Sequence, residues 1–289
     1  MDYEIFSDSS SNLTDELIDK HNINIVSLVF IIAGKQYISY EKGSNNDLQK
    51  FYTLLRQKEE LTTSCVNAET FYNVFKPVLE AGKDILYIGF SSALSGTYAA
   101  AKAAILDLQP LFPERKILHV DTLGASLGEG LLVLHSAWLR EQGKSVTEVY
   151  EWLENNKLHL CHFFTVDDLY YLFKGGRVQK SSYYIANLVN IKPVMHMDNE
   201  GRLVPVNKVI GRKKSLSWLA EQVAENIIKP EEQTICISHG DCIEDVNYLI
   251  ERLNEKIKVK DIIINYVDPV VGAHCGPGTV AIFCLGKQR

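Results

Sequence analysis

The stretch DILYIGFSSALSGTYAAAKAAILDL, residues 84–108, decides the fold because it combines a strand, a hydroxyl-rich turn and a helix. Residues 84–90 form a short apolar run of the kind found in a buried strand, and residues 96–108 are rich in alanine and leucine, which favour a helix. A buried strand that feeds a helix through a short turn is the repeating unit of α/β proteins. This unit therefore predicts an α/β fold.

The same alternation of strands and helices continues on both sides of this unit. Strands are predicted at 3–7, 23–32 and 116–122, and helices at 47–57, 68–82 and 123–144, with Thr14 as the N-cap of a further helix. Short connections between such elements favour a parallel sheet that is covered on both faces. Residues 1–160 are thus predicted to be an N-terminal α/β domain with a mostly parallel sheet and helices on both faces.

The pattern changes near residue 160. A short helix within 164–178 ends at Gly175 and Gly176, a second short helix covers 181–190, and an Asn-Glu-Gly turn within 191–211 indicates a hairpin. A helix over 212–228 and three further strands follow. Residues 161–289 are therefore predicted to be a C-terminal mixed α/β domain, packed closely against the first because no linker-like segment separates them.

Composition and charge limit the function. The chain has 289 residues, of which 46% are hydrophobic and 23% charged, and its formal net charge is −6, which argues against a nucleic-acid-binding surface. No apolar run reaches the roughly 20 residues of a membrane span, and no secretory signal is recognised. The six cysteines have no metal-binding spacing and are interpreted as free thiols. We expect a soluble, cytoplasmic protein without stable membrane insertion, and no metal site.

The turn SSALSGT, residues 91–97, follows a strand end and precedes a helix N-terminus. Free N–H groups and the helix dipole favour an anion there, Ser92 and Ser95 add hydroxyl donors, and Gly96 permits close approach of the backbone. The alternative is that Ser95 or Thr97 only caps the helix. Two other hydroxyl-rich turns, SDSSS at 7–11 and TTS at 62–64, are predicted to converge with it on one crevice.

Histidine and arginine are the remaining candidates for a site. His274 lies in the glycine-rich loop GAHCGPGTV, and an imidazole there is suited to hydrogen-bond an acid group or to handle a proton, although composition alone equally supports a structural histidine. Arg177 and Arg212 are candidate cations for this site, although each is equally well explained as an ordinary surface arginine. The glycines of GASLGEG, 124–130, do not have dinucleotide-binding spacing and indicate close helix packing, and no Walker-type phosphate loop is present.

Taken in order, seven motifs resemble the DegV-type fatty-acid-binding proteins of bacteria. They are FSDSSSNLT, TTS, SSALSGTY, DTLGASLGEGLLV, LYYLFKGGRV, NIKPVMHMDNEGRLVPVNKVIGRKK and GAHCGPGTVAIFCLGK, and the resemblance runs from residue 4 to residue 287. The resemblance implies a non-enzymatic carrier that encloses a long-chain fatty acid between two α/β domains. It further implies that the carrier presents the carboxylate to a separate ATP-dependent fatty acid kinase, with no cofactor of its own.

The resemblance also assigns residues. Thr63, Ser92 and His274 would contact the carboxylate, while a second group would lie near the head group or face the kinase: Asp8, Ser9, Ser95, Arg177 and Arg212. Three positions depart from the family pattern: Cys65 and Val66 replace the usual glutamine and proline, and Ala93 replaces the usual glycine. The hydroxyl groups are retained, so carboxylate binding remains the expectation.

Two other functions fit the same residues. A serine-dependent acyl hydrolase would use Ser92 as nucleophile and His274 as base, but SSALSG lacks the Gly-x-Ser-x-Gly elbow of the α/β-hydrolases. A regulatory protein that binds another small carboxylate would use the same hydroxyl groups. Independently of any family, burial of an acyl chain yields about 0.8 kcal/mol per methylene, which favours a lipid.

Overall fold

The computed structural model describes residues 3–43, 47–179 and 191–289, so the helix predicted over 181–190 lies outside the described residues. The strands are β1 (Tyr3–Asp8), β2 (Ile23–Val26), β3 (Val29–Ile32), β4 (Lys35–Ile38), β5 (Leu61–Ser64), β6 (Asp84–Gly89), β7 (Ile117–Asp121), β8 (Leu160–Thr165), β9 (Ile191–Met197), β10 (Leu203–Ile210), β11 (Thr234–His239), β12 (Asp261–Tyr266) and β13 (Val280–Leu285). The α-helices of the described residues are α1 (Asp15–Lys20), α2 (Leu48–Arg56), α3 (Ala68–Glu80), α4 (Thr97–Leu108), α5 (Leu127–Glu141), α6 (Val146–Asn156), α7 (Tyr170–Lys174), α8 (Arg212–Asn226), α9 (Ile243–Asn254) and α10 (Pro269–Cys275).

The first sheet has the strand order β2-β1-β6-β7, and all of its pairs are parallel. Successive side chains of a strand point to opposite faces. Ile5 and Leu86 accordingly pack in the cluster formed with α5 and α6, whereas Phe6 and Ile85 pack in the cluster formed with α3 and α4. The predicted parallel sheet with helices on both faces is confirmed.

The predicted strand region 23–32 is two strands in different sheets. β2 joins the first sheet, while β3 forms an antiparallel three-stranded sheet in the order β4-β3-β5. The chain turns between them at Ser27, whose hydroxyl accepts a hydrogen bond from Tyr40 N at 2.8 Å. Residues 62–64, predicted as a turn, belong to β5, because β3 supplies their hydrogen-bond partners from about 30 residues earlier in the chain.

The remaining strands form a six-stranded sheet in the order β10-β9-β8-β13-β11-β12. Only β11 and β12 pair in parallel, so the predicted mixed sheet is confirmed, and β9 and β10 form the predicted hairpin. Helices α8 and α9 cover one face of this sheet through a cluster that includes Leu216, Val223, Val246 and Leu253. Every strand described from Leu160 onward belongs to this sheet; the domain division at 160/161 remains a prediction.

Helix α5 lies between the two large sheets and is buried on nearly all sides. It begins at Leu127 rather than at 123, because Leu123 and Ser126 have φ values of 49° and 56°, which a right-handed helix does not accommodate. Gly128 and Gly130 permit close packing: a Cβ at Gly128 would lie 2.7 Å from the Phe283 ring, and one at Gly130 would overlap the carbonyl oxygen of Ser11. The predicted role of these glycines in helix packing is therefore confirmed.

We predict that Gly130→Ala lowers the free energy of unfolding by about 1–3 kcal/mol, because the added methyl group meets a backbone carbonyl that cannot rotate away. Alanine's higher helix propensity, worth about 1 kcal/mol, opposes this effect without cancelling it. Gly96→Ala is the matched control, since its Cβ would meet only Cys65 Sγ at 3.6 Å. Urea unfolding measures both, and a Gly130→Ala protein as stable as Gly96→Ala contradicts the prediction.

Candidate functional site

A cavity of about 360 Å³ lies between the two halves of the chain, within the size range of small-molecule sites. Its floor is one face of the six-stranded sheet. Strand pairing places Phe283 beside His162, and Ala281 beside Phe164 in the next row on that face. From Phe283 to Thr279 the floor extends about 13 Å, taking about 3.3 Å per residue. The cavity is therefore elongated along the strands.

One end of the cavity is formed by β5 and α10. Thr63 Oγ1 and His274 Nε2 lie 2.8 Å apart, and both residues line the cavity. His274, predicted in a loop, occupies the last turn of α10, a helix capped by the Asp268 carboxylate with Pro269 at its first position. This end holds two hydrogen-bonding groups from segments 211 residues apart in the sequence.

Burial lowers the pKa of His274 to about 4, and the positive charge of Arg177 contributes in the same direction. The imidazole is therefore neutral at pH 7. Three N–H groups of Arg177 are used for the carbonyl oxygens of Leu94 and Gly175. Since a guanidinium carries five N–H donors, two remain without an acceptor among the described residues, and no described carboxylate pairs with this charge. Arg177 lines the cavity at the same end.

The SSALSGT turn contributes Leu94, Ser95 and Gly96 to the cavity lining, but not Ser92. Ser92 is exposed, and its N–H donates to Asp121 Oδ1 at 3.2 Å. The Ser95 hydroxyl accepts a hydrogen bond from Thr97 N at 3.2 Å, but the N-cap of α4 is Gly96, which has no side-chain capping bond, and Ser95 also lines the cavity. Of the two serines proposed from the sequence as anion donors, only Ser95 lies at the cavity.

The hydroxyl-rich turn after β1 serves the fold. The buried Asp8 carboxylate accepts hydrogen bonds from Ser10 N, Tyr87 Oη and Phe90 N, and burial raises its pKa above the ordinary value. Ser9 Oγ accepts from Leu28 N at 3.0 Å. Neither Asp8 nor Ser9 lines the cavity, which this turn reaches through Ser10.

Arg212 lies outside the cavity lining, at the start of α8. Its Nη2 is 2.8 Å from Asp245 Oδ2 and its Nη1 is 3.9 Å from Asp167 Oδ1. The structure thus brings together Thr63, Ser95, Arg177 and His274, and leaves Ser92, Asp8, Ser9 and Arg212 outside the lining. Sequence reasoning missed the opposite end, where Met197, His162 and Phe283 form the floor. Strands β8 and β13 are buried throughout, so LCHFFT and VAIFCL carry no alternation of apolar and polar residues that would have indicated the cavity face.

Four cysteines are free thiols buried inside the protein, namely Cys161, Cys236, Cys275 and Cys284, whereas Cys65 is exposed at the cavity rim. Within residues 3–43, 47–179 and 191–289, no cluster of three or more His, Cys, Asp or Glu side chains is arranged to hold a metal ion. None of the helices described there is both long and apolar enough to cross a membrane.

The sequence matches the family model described as "Uncharacterised protein, DegV family" over residues 2–287. A DegV domain-containing protein of Clostridium perfringens is 42% identical over 287 residues, covering 99% of this chain and 98% of that protein. Among solved structures, a DegV lipid binding protein from Thermotoga maritima has a TM-score of 0.85 and 28% identity, with 100% of both chains covered. A fatty-acid-binding DegV family protein from Thermus thermophilus has a TM-score of 0.86 and 28% identity, covering 98% of this chain and 99% of its own.

We predict that Arg177→Gln raises the pKa of His274 from about 4 toward the ordinary value of 6.5, because a positive charge is removed while burial remains. The folded protein disfavours the protonated imidazole of His274, whereas the unfolded chain does not. The contribution of His274 to the free energy of unfolding is therefore fully present above pH 6.5 and is lost as the pH falls toward 4. NMR titration of the imidazole resonances measures the shift. Arg202→Gln, which removes an exposed arginine, is the control; equal midpoints in the two variants contradict the prediction.

Proposed function

The chain belongs to the DegV family, and from this premise we propose that it binds one long-chain fatty acid in the cavity and presents the carboxylate to a separate ATP-dependent fatty acid kinase. The observation that carries the proposal is the group of Thr63, Ser95, Arg177 and His274 at one end of an otherwise mainly apolar cavity. The DegV structures from Thermus thermophilus and Bacillus subtilis are described as binding fatty acids, and the latter shares 26% identity with this chain.

The head-group end suits a carboxylate. With the neutral imidazole donating Nε2–H to Thr63 Oγ1, the Thr63 hydroxyl is able to donate its own proton to a ligand oxygen. Arg177 supplies two further N–H donors and a charge that no described carboxylate neutralises. A buried carboxylate requires several such hydrogen bonds to compensate for lost hydration. Ser95 completes a set of two uncharged hydroxyl donors and two N–H donors of Arg177.

The rest of the cavity suits an acyl chain. Phe164, Ala281 and Phe283 form an apolar floor, and Val267, Val270 and Val271 of the opposite wall face it. Burial of ten methylenes would yield about 8 kcal/mol before the costs of association. The tail would therefore supply most of the affinity, and the head-group donors would set the orientation.

Presentation to a partner is supported by the position of the rim. Ser64 and Cys65 line the cavity next to Thr63 and are both exposed, so the carboxylate end lies near the surface. The sequence has no Walker-type loop, so in this proposal the separate kinase binds the ATP. One carboxylate oxygen attacks the γ-phosphorus of ATP, the bond from that phosphorus to the β–γ bridging oxygen breaks, and ADP leaves, which yields the acyl-phosphate. The Thr63 and Ser95 hydroxyls and the unused N–H groups of Arg177 would hold the carboxylate during this step.

The hydrolase alternative has less support. Ser92 is exposed and outside the cavity lining, whereas His274 Nε2 is engaged with Thr63 Oγ1. A nucleophile and its base must lie within hydrogen-bonding distance, and no hydrogen bond joins Ser92 and His274 in the described part of the chain. Thr63 occupies the position that a serine nucleophile would need.

The proposed binding is tested by denaturing mass spectrometry of the purified protein, followed by assay of acyl-phosphate formation with ATP and a bacterial fatty acid kinase. We expect about one fatty acid per chain and acyl-phosphate that depends on both proteins. Binding of short carboxylic acids with no binding of long ones would favour the small-carboxylate alternative. Bound fatty acid without any acyl-phosphate, across several kinases, would reject the presentation step alone.

The two serines of the turn provide a matched pair. We predict that Ser95→Ala weakens fatty acid binding about 10- to 100-fold, the value of one hydrogen bond to a charged group, whereas Ser92→Ala changes it less than threefold. Isothermal titration with delipidated protein measures both. A larger loss for Ser92→Ala than for Ser95→Ala would restore Ser92 as the carboxylate contact expected from the family resemblance.

A further inference from the structure

Arg289 has every N–H group of its guanidinium bonded to a backbone carbonyl oxygen. Nε donates to Leu160 O at 3.2 Å, Nη1 to Leu123 O at 2.6 Å and to Asp198 O at 3.2 Å, and Nη2 to Thr122 O at 3.3 Å and to Lys157 O at 2.9 Å. A guanidinium has five N–H donors, so this set uses all of them. One side chain thereby joins three segments that are distant in the sequence.

These three segments form walls of the cavity at the end opposite His274. Ala125 follows the Leu123 carbonyl by two residues, His162 follows that of Leu160 by two, and Met197 precedes that of Asp198 by one. All three lining residues lie around the row of the sheet farthest from α10. Arg289 therefore determines how these walls stand relative to one another, although it does not itself line the cavity.

The tip of the β9–β10 hairpin is the part that this contact holds in place. Its turn is rigid, because Asp198 Oδ1 accepts hydrogen bonds from Glu200 N and Arg202 N, each at 2.9 Å. A second contact fixes it to the first domain, since Ser91 Oγ donates to Gly201 O at 2.9 Å. Met197 and Leu203, which pair across the hairpin next to this turn, both line the cavity.

We propose that Arg289 is a positioning residue for the tail of the ligand: it holds the β9–β10 tip against the other walls, fixes the depth of the cavity and so limits the longest acyl chain that fits. This inference rests on the proposed fatty-acid binding. The end of the cavity at Arg289 selects among fatty acids by length, whereas the residues around His274 recognise the carboxylate that all of them share.

The geometry explains why an arginine is suited to this task. Charge-assisted hydrogen bonds are stronger than neutral ones, and the planar guanidinium reaches carbonyl groups in several directions at once. A lysine ammonium has three donors at a single point and cannot reach all five carbonyls. Burial lowers the pKa of Arg289 to about 10, so the charge persists at neutral pH.

The test is a series of dissociation constants for saturated fatty acids of increasing length, measured with the delipidated full chain. Each buried methylene strengthens binding about fourfold until the tail reaches the end of the cavity, where the series breaks. We expect Arg289→Ala to move this break to acids at least two carbons longer, with affinity for shorter acids changed less than threefold. Arg202→Ala, on the same hairpin but exposed and paired with Glu200, leaves the break where it is.

A second variant tests the same limit from inside. Leu203→Trp adds volume at the cavity end next to the hairpin tip, and the break should move to shorter acids while Arg289 is intact. An unchanged break in Arg289→Ala, or a loss of affinity that is equal at all lengths, overturns the inference. If Arg289→Ala does not fold, Arg289→Lys is judged by the same criterion. Absence of binding by the native protein at every length would instead reject the proposed function itself.

Discussion

The structure depends on the burial of helix α5 between two sheets. This helix contacts β1 and β6 of the parallel sheet and β8, β11 and β13 of the six-stranded sheet, so it joins residues of both sheets in one hydrophobic cluster. Such an arrangement requires small side chains where the sheets approach most closely, and Gly128 and Gly130 supply them. Because the segment that leads into α5 lines the cavity through Ala125 and Ser126, the same packing also determines where this wall of the cavity lies.

The buried position of α5 has an electrostatic consequence at Glu129. Ser7 Oγ is 2.8 Å from the Ile88 carbonyl and 2.9 Å from Glu129 Oε1, but a hydroxyl has only one proton to donate. If that proton goes to the carbonyl, the second contact requires a proton on Glu129. Burial raises the pKa of Glu129 well above its ordinary value, which agrees with a neutral acid. Ser7 and Asp8 therefore stabilise the interior, and the hydroxyl groups that line the cavity include those of β5, of the turn before α4 and of Ser10, whose buried Oγ has no hydrogen-bond partner among the described residues.

The sequence predicted the parallel sheet, its helices on both faces and the mixed second sheet, because strand and helix periodicity is a local property. It did not separate β2 from β3, since the apolar run 23–32 contains no glycine or proline to indicate the turn at Ser27. The placement of Ser95 rather than Ser92 at the cavity depends on the conformation of one turn, which hydroxyl content does not reveal. The contact of Arg212 with Asp245 joins residues 33 positions apart, so it could likewise not be predicted from the sequence.

The two ends of the cavity use arginine in opposite ways, and this difference gives the cavity a direction. At Arg289 all five donors meet backbone carbonyls, so the charge is solvated by the protein and has nothing left to offer a ligand. At Arg177 three of the five donors are used within the described residues, by Leu94 and Gly175, and His274 beside it is neutral. In the proposed binding mode the carboxylate therefore lies at the Arg177 end, because the reverse orientation would place it beside Phe283 and Met197, away from the unused donors of Arg177.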